Sequence, residues 1–126
     1  MNNPTNQIEY DFAMHDDRVR KHYAHAREKH PYFCDRITYR SARYADTELE
    51  ICRKILKTES RAGDIKAVSV IQCELYEAIQ AYTHGDIAHA VEELYDTIAT
   101  LLRMVDVLEG RQKLGKPETK GETSGQ

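Results

Sequence analysis

The chain has 126 residues, 40% of them hydrophobic and 31% charged, with a mean hydropathy of -0.69. That suits one small domain with tails and excludes a chain that is disordered throughout. No apolar run approaches the ~18 residues of a membrane span, and 18 Lys+Arg against 21 Asp+Glu, a formal net charge of -3, argues against a dedicated duplex-nucleic-acid binder.

In chain order, MNNPTNQIEYDF lacks the basic-then-apolar pattern of a signal peptide, and residues 1–14 read as a flexible segment. A helical domain is expected over 15–110, and a flexible tail over 111–126, rich in Gly, Lys, Glu, Thr and Ser. The first helix is predicted from Asp16 or Asp17 to about His30, where Pro31 stops it. Residues 31–44 give no clear signal. A second helix is predicted behind Asp46, running to about Arg61, with Leu49, Cys52, Ile55 and Leu56 facing inward. Asp64 and Gly85 bracket a third helix, in which Val68, Ile71, Leu75, Ile79 and Tyr82 recur at spacings of three and four. Asp86 and Gly110 bracket the fourth, with the strongest amphipathic pattern in the chain, from Ile87 through Val91, Leu94, Ile98 and Leu101 to Leu108. The short link from Thr83 to Asp86 makes these two helices antiparallel neighbours. Cysteines at 34, 52 and 73 are odd in number and form no CxxC pair, so a disulfide framework is not expected, and the cytoplasm is the expected compartment.

The third and fourth helices echo each other. With an offset of 19, CELYEAI at 73–79 lies over EELYDTI at 92–98. Each residue advances about 100° around a helix, so Glu74 and Glu77 lie near -100° and -160° from Leu75. Glu93 and Asp96 lie at the same angles from Leu94. Each helix therefore carries an apolar stripe and, beside it, two acids three residues apart. If the helices cross near their middles, the four carboxylates converge and repel. A hard divalent cation such as Mg²⁺ relieves that repulsion and binds readily alongside phosphates, whereas Zn²⁺ lacks a His or Cys to complete its set. The bland alternative is a solvated acidic face, which such spacing also produces.

These residues resemble the all-α nucleoside triphosphate pyrophosphohydrolases of the MazG-like group, whose signature is E-E-x-x-E, a gap, then E-x-x-D. Here it reads Cys73-Glu74-Leu75-Tyr76-Glu77, then Glu93-Leu94-Tyr95-Asp96, over roughly residues 65–108. The resemblance implies Mg²⁺-dependent cleavage of a (deoxy)nucleoside triphosphate between the α and β phosphates, with Mn²⁺ as a substitute metal. It makes Glu74, Glu77, Glu93 and Asp96 both metal ligands and catalytic residues. Some phage-type members are associated with purine deoxynucleotides, and a phage origin would place the protein in the host cytoplasm. Two departures stand out. Cys73 replaces the first acid, and the chain turns polar soon after Gly110, where many members carry a further substrate-holding helix.

Arg103 lies beside the acid stripe and is a candidate phosphate ligand, as are Lys66, two turns before Glu74, and His89, on the stripe with Glu93. Each has a plainer reading as a surface ion pair or surface His. His22, His25, His30 and Cys34 match no common zinc spacing. Tyr76 and Tyr95 lie near +100° from the apolar stripe, a flank suited to a subunit interface. The expected architecture is an all-α bundle of about four helices with a central antiparallel hairpin. Its small core calls for completion by a homodimer or homotetramer. The alternative function is a non-enzymatic helical oligomerisation or adaptor module.

Overall fold

The computed structural model describes residues 4–33, 37–38 and 41–112. Among them the chain is all-α, with four helices: α1 (Pro4–Lys29), α2 (Ala42–Arg61), α3 (Ala67–Thr83) and α4 (Ile87–Leu108). None is long and apolar enough to cross a membrane. The chain divides into two compact units, residues 1–39 and 40–126, with the division falling inside the segment expected as one domain.

The first unit holds α1. It begins at Pro4, not at Asp16 or Asp17, so most of the segment expected to be flexible is helical. Proline is favoured in the first helical position, because its ring presets φ and the missing N–H has no helical partner there. Surface pairs four residues apart line the helix: Gln7 with Asp11 at 2.9 Å, Arg20 with Asp16 at 3.0 Å, and Lys21 with Asp17 at 3.0 Å. The helix ends at Lys29, two residues before Pro31.

The second unit is a row of three helices, with α3 packed against α2 on one side and α4 on the other. Helix α2 starts earlier than expected, because Ser41 caps it by accepting the Tyr44 N–H at 3.2 Å. Its inward residues are Ala45, Leu49 and Cys52. Ile55, expected to face inward, is exposed. Three contacts give the antiparallel register of α2 on α3: Asp46 with Gln80 at 2.8 Å, Arg53 with Glu77 at 3.0 Å, and Glu59 with Ser69 at 2.8 Å.

Asp64 is not the cap of α3. The N-cap is Lys66, whose side chain caps nothing, and the carboxylate of Glu59 does that work from the last turn of α2. Glu59 Oε1 accepts the Lys66 N–H at 2.9 Å while Oε2 accepts the Ser69 hydroxyl at 2.8 Å. An anion beside a helix N-terminus is also favoured by the helix dipole. Glu59→Ala should therefore cost about 1 kcal/mol, the typical worth of an N-cap. Urea denaturation checks this, and an unchanged midpoint would show that the contact contributes nothing.

The turn into α4 follows expectation. Gly85 takes φ 85°, a conformation open to glycine, and Asp86 caps α4 by accepting the His89 N–H at 3.1 Å. Small side chains, Ala78 on α3 with Ala90 and Thr97 on α4, are buried where the hairpin closes. They lie near -60°, -40° and -60° from Leu75 or Leu94, on the side of each helix that carries the acids. The apolar stripe of α4 is left nearly half exposed. Val91, Leu94, Ile98 and Leu101 are each 42–46% exposed. Beyond α4, Arg111 closes the last turn on Asp106 and Glu109, and the tail expected to be flexible otherwise lies outside the described residues.

Candidate functional site

The acids lie along the seam between α3 and α4. Glu74, on α3, accepts the Thr100 hydroxyl of α4 at 2.6 Å. One turn on, Glu77 Oε2 pairs with Arg53 of α2 at 3.0 Å. From α4, Glu93 comes within hydrogen-bonding reach of Glu77 across the seam. Asp96, one turn beyond Glu93, adds its charge from an exposed position. The structure thus brings Glu77 and Glu93 together, with Asp96 close by and Glu74 on the same seam.

Crowding shows in the electrostatics. Partial burial pushes the Glu93 carboxyl above the ordinary carboxylate range, and the Glu77 charge, a hydrogen bond to Glu77 and the Asp96 charge push it further. His89 opposes this with Nε2 at 3.2 Å from Glu93 Oε2. A carboxyl raised by folding makes the folded chain hold its proton longer than the unfolded chain does. Stability from this group is therefore full at low pH and declines as pH rises from the unfolded value through the folded one. In the absence of metal, Glu93→Gln should raise the melting temperature at neutral pH, because its amide can donate to Glu77. The gain should vanish near pH 4. A melting series over pH tests this, and a variant less stable than wild type at pH 7 would contradict it.

The donor set is all carboxylate oxygen, which suits a hard divalent cation. No group of three or more His, Cys, Asp or Glu residues lies in metal-holding geometry among the described residues.

The other candidate residues separate. His89 belongs to the cluster through Glu93. Lys66 sits at the start of α3 and is held by Asp64, about 12 Å along the helix from Glu74. Arg103 is exposed, about 10 Å along α4 from Asp96, and carries no ion pair among the described residues. Cys34, from the histidine-rich set, lies outside the described residues. Cys73, in place of the first acid of the motif, is buried on the side of α3 that meets α2, where burial raises its thiol pKa. A carboxylate there would be desolvated away from the seam, so the departure leaves the acid cluster intact. Sequence reasoning missed Arg53 and Thr100, which partner Glu77 and Glu74. Neither stands out in its own helix, and only the register between helices pairs them with the acids.

Comparison with protein-family models, with characterised proteins and with solved structures finds no match for this chain.

Proposed function

We propose that the protein is a Mg²⁺-dependent nucleotide pyrophosphohydrolase that cleaves a (deoxy)nucleoside triphosphate, with purine deoxynucleotides as first candidates, to the monophosphate and pyrophosphate. The observation that carries this reading is the meeting of Glu77 and Glu93 across the α3–α4 seam, with Asp96 and Glu74 beside them. Two acids held against each other on separate helices are costly in a fold of this size. A divalent cation removes that cost and gives the acids a use.

In this reading Glu74, Glu77, Glu93 and Asp96 hold the ion, and Mn²⁺ can replace Mg²⁺. The bound ion supplies charge neutralisation and an acidified water. The chain's own groups orient the reaction. Arg53 fixes the Glu77 carboxylate, Thr100 fixes that of Glu74, and His89 stands next to Glu93 where a phosphate oxygen can approach. Arg103 and Lys66 lie farther off, and their proposed role is limited to the distal phosphates.

The test is a panel of eight (d)NTPs with Mg²⁺, with products resolved by chromatography. Monophosphate and pyrophosphate are expected. Release of orthophosphate alone would mean a different phosphohydrolase, and no turnover with any nucleotide would favour a helical oligomerisation or adaptor module. One observation favours that second reading: the exposed apolar stripe of α4.

A further inference from the structure

Helix α1 separates its charges both along its length and around its axis. Residues 18–30 carry Arg18, Arg20, Lys21, Arg27 and Lys29 against Glu28 alone, in a chain whose net charge is -3. Just ahead of them, Asp16 is paired with Arg20 at 3.0 Å and Asp17 with Lys21 at 3.0 Å. At about 100° per residue, His22, His25 and Lys29 lie at about +40°, -20° and +20° from Arg18. These residues are all exposed and form one stripe about 16 Å long. Glu28, the acid of this span, lies about -80° from Arg18, to the side of the stripe. Ahead of Arg18 the same line meets Asp11, bonded to Gln7, and the buried His15, so the stripe begins at Arg18. Arg27 lies on the opposite side, about 180° away, over the Tyr23 ring. Just past the helix end, Tyr32 and Phe33 are 87% and 80% exposed.

We propose that this stripe binds a short run of single-stranded nucleic acid. Its cations, Arg18 and Lys29, attract phosphates. Its imidazoles, His22 and His25, offer donors to phosphate oxygens and flat faces on which unpaired bases stack. Proteins that hold single strands combine a positive track with such rings, and Tyr32 and Phe33 add two exposed rings beyond the C-terminal end of the helix. Other anionic occupants fit the stripe less well. A nucleoside triphosphate spans only part of its length. An acidic peptide would use the cations and leave the rings idle. A membrane surface requires large apolar side chains beside the cations, and between Arg18 and Lys29 these are Val19 and Tyr23 alone. A duplex binder carries a basic surplus that this acidic chain lacks. The proposal goes beyond the phosphohydrolase reading and does not rest on it, since the acids of that reading belong to the other unit.

Fluorescence anisotropy of a labelled oligothymidylate of about 12 nucleotides, within the span of one single-strand site, tests it on the full chain. EDTA is present throughout, so no divalent cation at the acids of α3 and α4 contributes. Saturable binding is expected, weakened at least about fivefold between roughly 50 and 200 mM salt, as two phosphate contacts require. Lys29→Glu should weaken it by at least about fivefold. Arg27→Glu makes the same change of charge on the opposite side of the helix and should stay within about twofold of wild type, with circular dichroism confirming helicity in both. Should Lys29→Glu lose its helix, His25→Ala decides. It removes a ring without removing an Arg or Lys, and should weaken binding by at least about fivefold, as loss of one stacking side chain does. Absence of saturable binding below about 100 μM, the weak end of non-specific affinity, would overturn the proposal. So would equal losses in Lys29→Glu and Arg27→Glu, or binding that His25→Ala leaves unchanged. Competition by inorganic polyphosphate or by a duplex as effective as that of the unlabelled strand would also overturn it, because the stripe would then read charge alone.

Discussion

Glu77→Gln is expected to lower Mg²⁺-dependent turnover at least ~100-fold while leaving helix content intact. Glu77 is the acid that meets Glu93 across the seam and is also fixed by Arg53 at 3.0 Å. Replacing its carboxylate removes a charge that the proposed cation needs and leaves the shape of the seam unchanged. Loss of a single group positioned on a reacting centre commonly costs two to three orders of magnitude, and even outer-shell partners of metal ligands cost roughly 10–100-fold. The freed Arg53 is mostly exposed, so the loss of its ion pair costs little stability. Asp96→Asn should act in the same direction. Steady-state kinetics of both variants, with circular dichroism as the control for folding, checks this. Full turnover in both would remove these residues from the site.

Leu49→Ala is expected to be the most destabilising single substitution in the second unit, at about 2–5 kcal/mol. Leu49 is 1% exposed and, among the described residues, is the largest side chain that is fully enclosed. Its neighbours in the buried set are small: Ala45, Cys52, Cys73 and Ala78. Replacing Leu49 with alanine removes buried methyl groups and leaves a cavity, and both cost stability. Domains have only about 5–15 kcal/mol in total, and the loss takes a large share of that. Thermal and urea unfolding measure it. A midpoint shift no larger than that of Ile55→Ala, on the exposed side of the same helix, would show that Leu49 is not the centre of the core.

The helices of the hairpin were legible because their apolar residues recur at three and four and their ends carry glycine and aspartate. Asp86 caps α4 as read, and Gly85 and Gly110 both take positive φ at the stops. The starts of α1 and α2 were less legible, since Pro4 and Ser41 sit in polar stretches where a helix has no apolar stripe to announce it. Periodicity locates a stripe but not its partner. Leu94 and Ile98 fit a core position and an oligomer interface equally well, and in the structure the hairpin is closed by Ala78, Ala90 and Thr97 instead. The four acids were legible as two matched pairs. Arg53 and Thr100 were not, because which residue of α2 meets α3, or which of α4 meets Glu74, is a property of packing register and not of either helix alone.

Titration of the purified protein with Mg²⁺ in a calorimeter, set beside the same titration of Glu77→Gln, bears most directly on whether the acids of α3 and α4 share one cation. Saturable binding of Mg²⁺ to the wild type, matched by Mn²⁺ and lost in the variant, is the expected result. Absence of saturable binding to the wild type in the presence of a non-hydrolysable nucleotide would contradict it, as would binding that Glu77→Gln leaves unchanged.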